Sequence, residues 1–176
     1  MKKVLLMFMG IALILCFSLS GLQAQETPGG KKPAAETGRT PVVKKGTLGA
    51  GVMLGSPMGP NVKYWFTHDI AVDVGLGFAK DFSLYSDVLW HRWTLFPQPP
   101  KGVLAGYLGL GLRYENEDDD DEHDEFGIRT VAGASYWVPS NPIEVVVEIA
   151  PVFQVSPDTD TGFDAGIGVR YYFTGL

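Results

Sequence analysis

From residue 47 onward, apolar and polar side chains alternate with a period of two. Successive side chains of a β-strand point to opposite faces, so this period predicts strands with one apolar face. Eight such segments are legible: 47–55, 61–66, 70–79, 82–96, 103–115, 126–138, 143–155 and 163–173. Turn-forming residues separate them, among them Pro57-Met58-Gly59-Pro60, Thr67-His68-Asp69 and Pro139-Ser140-Asn141-Pro142. No segment in this region carries a 3.6-residue period. The predicted fold class is all-β: an eight-stranded antiparallel up-and-down barrel.

The last segment shows the pattern most cleanly. Phe163, Ala165, Ile167, Val169, Tyr171 and Phe173 form one face, and Asp164, Gly166, Gly168, Arg170 and Tyr172 the other. It is long enough to cross a bilayer as a tilted strand, which needs roughly 9–11 residues. A soluble barrel turns the apolar face inward and a membrane barrel turns it outward. The position of the aromatics decides between them. Tyr64, Phe66, Phe96, Tyr136, Tyr171 and Phe173 fall at one end of the apolar face. Phe78, Phe82, Tyr114, Phe126, Phe153 and Phe163 fall at the other. Two aromatic girdles around an aliphatic band fit a bilayer and have no purpose in a soluble interior. The expected architecture is therefore a transmembrane β-barrel spanning 46–173.

The opposite face then lines the lumen. It carries Lys63, Asp73, Asp87, His91, Arg113, Glu115, Arg129, Glu144, Glu148, Asp164 and Arg170. Eight strands leave room inside only for side chains. An unpaired buried charge is costly, so these residues are expected to form a paired network that plugs the lumen. Glycines 49, 51, 75, 77, 109, 111, 127, 133, 166 and 168 share this face and are expected to make space for the arginines. Arg92 is the exception in the pattern. It lies on the apolar side near a strand end, where a long side chain can snorkel to lipid headgroups.

The N-terminus adds a destination. Lys2 and Lys3 precede an apolar run from Val4 to Phe17, and Ala24 ends a stretch fit for cleavage. Residues 1–24 read as a signal peptide. Residues 25–45, rich in Pro, Gly and Lys, read as a disordered basic periplasmic linker. The sole cysteine, Cys16, lies within the signal, so the mature chain has no thiol for a disulfide or a metal. From Gly46 onward seven bases face eighteen acids, which excludes the basic footprint that nucleic-acid binding requires.

Nine of those acids fall between Glu115 and Glu125. The run includes Asp118, Asp119, Asp120 and Asp121, weak candidates for holding a divalent cation through carboxylate oxygens. It lacks the glycine and spacing of an EF-hand loop. A solvated, self-repelling loop is the plainer reading, and contact with a basic extracellular partner a third. His91, four residues after Asp87, raises acid–base chemistry, but a lumen histidine serving as hydrogen-bonding filler is favoured. No catalytic residue and no cofactor are expected.

The eight amphipathic segments and the closing Gly168-Val169-Arg170-Tyr171-Tyr172-Phe173 resemble the small outer-membrane barrels of the OmpA and OmpX type, within the outer membrane protein β-barrel domain family. The resemblance implies an outer-membrane location in a Gram-negative-type envelope, lipid as surroundings, and a C-terminal strand read by the outer-membrane assembly machinery. Thr174-Gly175-Leu176 follows the terminal aromatic as a short tail. The expected role is non-enzymatic: envelope structure, or surface recognition through the loops. A small diffusion pore and a lipid-modifying outer-membrane enzyme are the alternatives.

Overall fold

The computed structural model describes residues 43–78, 82–116, 124–156 and 159–173. These form β1 (Leu48–Ser56), β2 (Gly59–Trp65), β3 (Ile70–Gly77), β4 (Phe82–Arg92), β5 (Val103–Asn116), β6 (Glu125–Trp137), β7 (Ile143–Ser156) and β8 (Thr161–Tyr172). Each strand pairs antiparallel with its sequence neighbours, and β8 returns to β1, so the sheet closes into a barrel. Closure leaves no edge strand with unpaired backbone groups.

Register keeps the two faces apart. Val62 lies opposite Ala50 and Val74, while Lys63 lies opposite Gly49 and Asp73. The apolar set forms the outer wall, where Leu108 is 65% exposed, Phe163 62% and Leu54 61%. Lys63, Glu144 and Arg170 are wholly buried in the lumen. This inverts the arrangement of an ordinary globular protein, in which charged side chains are almost never fully buried unless paired.

Both ends of the barrel sequence, Leu48 and Tyr172, lie at one end of the cylinder, called proximal here. Tyr64, Phe66, Tyr171 and Phe173 ring its outer surface, with edge-to-face contacts at 4.8 Å (Tyr64–Phe66) and 5.4 Å (Tyr171–Phe173). At the distal end Phe78, Phe82, Phe153 and Phe163 are exposed on the wall. Tyr114 departs from the expected girdle. Its register places it between Leu84 and Phe126 on the outer side, yet it is only 6% exposed. The loop ends cover it, with Asn116 Oδ1 at 3.5 Å from its hydroxyl and Asp124 also in contact.

Several strand limits and one register differ from the alternation pattern. β4 stops at Arg92, opposite Gly106, instead of continuing to 96. The chain then turns, and the Gln98 side chain bonds the backbone of Trp93 and Leu104 in place of a ladder. The β1–β2 turn shrinks to residues 57–58, since Gly59 and Pro60 pair with Met53 and Val52. A bulge between Phe126 and Gly127 shifts the register of β6 against β7.

Val43 corrects the linker boundary. Although it falls within 25–45, it is 2% exposed and packs in the proximal lumen. A tight turn holds it there: Thr47 Oγ1 donates to the Lys44 carbonyl at 2.8 Å, and Gly46, at φ 87°, donates from its backbone to Trp65 O at 2.8 Å. The signal peptide, the linker as far as residue 42, Asp118 to Asp121 and the 174–176 tail lie outside the described residues.

Candidate functional site: the filled lumen

Alternation delivers side chains from every strand into a cylinder too narrow to stay empty, so the lumen is the place to look for chemistry. All eleven charged or titratable residues singled out from the sequence lie on this side. They sort into layers along the axis.

The layer nearest the proximal end centres on Glu144. Its carboxylate accepts from Lys63 Nζ at 2.9 Å, Arg170 Nη1 at 3.2 Å and the Tyr172 hydroxyl at 2.7 Å. Arg170 also binds Asp73. With the Asn61 amide turned toward its donor neighbours, the Asn61 oxygen accepts from Arg170 Nε at 3.0 Å and Nη2 at 2.7 Å. Lys63 Nζ lies 3.0 Å from His91 Nε2 and 4.8 Å from the centre of the Trp65 ring.

The next layer centres on Arg129. Its guanidinium reaches Asp87, Glu148 Oε1 at 3.0 Å and Asp164 Oδ2 at 3.1 Å. Its flat face rests 4.5 Å above the Tyr85 ring. Planar, multidentate pairing of this kind is what the fixed fork of arginine supplies and lysine does not. Glu148 also accepts from the Tyr107 hydroxyl at 2.9 Å. The distal layer is Arg113, which joins Asp164 at 3.1 Å to Glu115 at 2.6 Å. Among the described residues a cleft of about 10 Å³ lies beyond it, between Arg113, Glu115, Glu125 and Gln154. That holds about one water.

The proximal end is closed by an aromatic floor that parity could have revealed. Trp65 lies two residues after Lys63, and Trp137 two after Ser135, so both must face inward. They pack with Trp93, Tyr172 and Val43. Trp65 lies 5.8 Å from Trp93 and 6.3 Å from Trp137, and Trp137 lies 4.7 Å from Tyr172. Tyr172 joins floor to ion layer, accepting from Trp65 Nε1 at 3.4 Å while donating to Glu144.

Three of the lumen glycines make room for rings. Tyr85, Tyr107 and Tyr172 each lie over the glycine opposite them in the neighbouring strand: Gly75, Gly133 and Gly49. Only some of the expected space goes to charged groups, as at Gly51 beside Arg170 and Gly111 beside Asp87.

The same architecture is known in a solved structure. The chain has the fold of the N-terminal β-barrel domain of Pseudomonas aeruginosa OprF. That crystal structure matches with a TM-score of 0.52 and 18% sequence identity, over 73% of this chain and 98% of the other. No protein-family model matches the sequence, and no curated protein matches it either.

Within this fold His91 has the surroundings of a filler. Its ring lies tilted 4.4 Å from Trp65 and 4.9 Å from Tyr107, it is 4% exposed, and Lys63 occupies its Nε2. Among the described residues no three His, Asp or Glu side chains are arranged to hold a metal ion. The acidic run that prompted the cation reading, Asp118 to Asp121, lies outside those residues.

Proposed function

We propose that the protein is an integral outer-membrane barrel of a Gram-negative-type envelope. Its plugged lumen gives it a structural role, or a role in surface recognition through its distal loops, without enzymatic activity. One observation carries the reading: a wall of exposed aliphatic and aromatic side chains encloses an interior of paired charges. In water such a wall exposes far more apolar surface than a soluble monomer tolerates, while in lipid it is matched to its surroundings.

The filled interior supports the non-conducting form of this reading over the diffusion pore. Among the described residues, ion layers, an aromatic floor and a one-water distal cleft occupy the lumen from end to end, which favours a barrel that does not conduct. The ring-enclosed, lysine-bound His91 likewise supports a role as filler. Recognition falls to the loops, with the acidic run around residues 115–125 offering carboxylates to divalent cations or to a basic partner.

Membrane fractionation and planar-bilayer recording test the proposal. The protein is expected in the outer-membrane fraction, and the purified barrel is expected to show no stable large conductance. Recovery in the soluble fraction would overturn the location, and a steady monomer conductance would overturn the plug. Pull-down with and without residues 117–123 tests the loop, and an unchanged partner list would remove it from recognition.

A further inference from the structure

Arg92 is the one basic residue that interrupts the apolar exterior of β4, and a groove adjoins it. The groove measures about 510 Å³ and is lined on the outer wall by Ile70, Trp90, Arg92, Leu95 and Leu108, with Asp69 at its rim. Its floor has a structural cause. Arg92 lies opposite Gly106, which contributes no side chain, while Trp90 lies between Ile70 and Leu108. The chain after β4 folds back so that Leu95 and Phe96 rest over Gly106. Leu95 therefore forms a raised lip beside a recess in the wall. Gln98 holds that lip in place, donating to the Trp93 and Leu104 carbonyls at 2.8 Å each and accepting from Leu104 N at 3.0 Å. His91 and Tyr107 also border the groove, but their rings lie together in the lumen.

The groove thus joins an apolar trough to an exposed guanidinium. Among the described residues, Arg92 has no carboxylate partner. Asp69, the nearby acid, is already engaged by His68 Nε2 at 2.9 Å. The groove lies at the proximal end, level with the aromatic girdle that marks a headgroup boundary. We infer that it is a binding site for a single glycerophospholipid of the proximal leaflet, with the phosphodiester on Arg92 and an acyl chain along Trp90, Leu95 and Leu108. A guanidinium fork suits a phosphate in two-point contact, and such contacts strengthen where water is scarce. The site rests on the membrane location proposed above.

Native mass spectrometry of the full-length protein, released from detergent in the presence of phosphatidylglycerol, tests it. The wild type is expected to retain one lipid. Arg92→Ala is expected to lower the retained fraction at least about tenfold, the loss of one charge-assisted contact. Leu95→Glu, on the exposed lip, is expected to lower it similarly, and Arg92→Lys to lower it less. Deacylated glycerophosphoglycerol is expected not to compete. Equal retention by wild type and Arg92→Ala would overturn the site, as would full competition by the deacylated headgroup. Fractionation of the same preparations separates the two readings. A membrane-integral protein whose lipid retention ignores Arg92 loses only the groove, whereas a soluble one loses the location as well.

Discussion

Two zones fill one lumen by different physics. The proximal floor of Trp65, Trp93, Trp137, Tyr172 and Val43 is held by apolar burial and ring contacts. The ladder above it sets Lys63, Arg113, Arg129 and Arg170 against six carboxylates. Apolar burial is non-directional, so the floor needs bulk and accepts varied geometry. The ladder needs direction. Arg129 on β6 ties β4, β7 and β8 together, and Arg170 on β8 ties β3 and β7. The bonds to Asp87, Asp164 and Asp73 run across the cylinder, between strands that share no backbone ladder. The contrast implies that the floor seals the barrel while the ladder fixes its cross-section, and that the ladder is the less forgiving of the two.

Arg129→Met should produce the largest effect. It strands Asp87, leaves Glu148 with the Tyr107 hydroxyl and Asp164 with Arg113, and breaking even one buried pair costs about 3–5 kcal/mol. Denaturant unfolding in detergent, followed by far-UV dichroism, should show a loss of about 5 kcal/mol or failure to fold. Trp65→Ala should cost about 3–4 kcal/mol, the usual range for emptying a large aromatic site. It should also raise deuterium uptake at the proximal turns while sparing the Arg129 layer. If Trp65→Ala proves more damaging than Arg129→Met, the ranking of the zones is reversed.

Gly133→Ala sets a methyl group against the Tyr107 ring, whose hydroxyl serves Glu148. Overpacking of this kind costs about 1–3 kcal/mol, readable as a lower unfolding midpoint. Asp87→Asn should change stability least, by less than about 1 kcal/mol. Asp87 lies directly opposite Asp73 in the β3–β4 register, and each has one buried oxygen without a hydrogen-bond partner. Like charges in that position repel, so losing one offsets the weaker bond to Arg129, which keeps Glu148 and Asp164. A large loss in Asp87→Asn would show that the ladder depends on every anion and not chiefly on its cations.

Much of this was legible from residue order. Eight strands, their facing and the inward turn of the eleven lumen acids and bases follow from a period of two, which is a local property of an extended chain. The same parity would have placed Trp65 and Trp137 inside, had the lumen been expected to hold aromatics as well as charges. Strand ends were less legible. Nothing in the alternation of residues 82–96 marks Arg92 as the last paired residue, because that limit is set by the turn in which Gln98 takes the place of a partner strand. Val43 was hidden in the same way, as one apolar residue in a segment of linker composition.

What chain order could not contain is which charge meets which. Arg129 and Asp87 are 42 positions apart, and Arg170 and Asp73 are 97 apart. Their meeting depends on closure, curvature and stagger, which bring opposite walls within reach of a side chain. The groove at Arg92 is likewise a product of register, since it needs Gly106 opposite the guanidinium and a turned-back Leu95 beside it. Periodicity decides which face a residue joins, because that is settled within two residues. Only the closed barrel decides its partner, because that is settled across the full width of the fold.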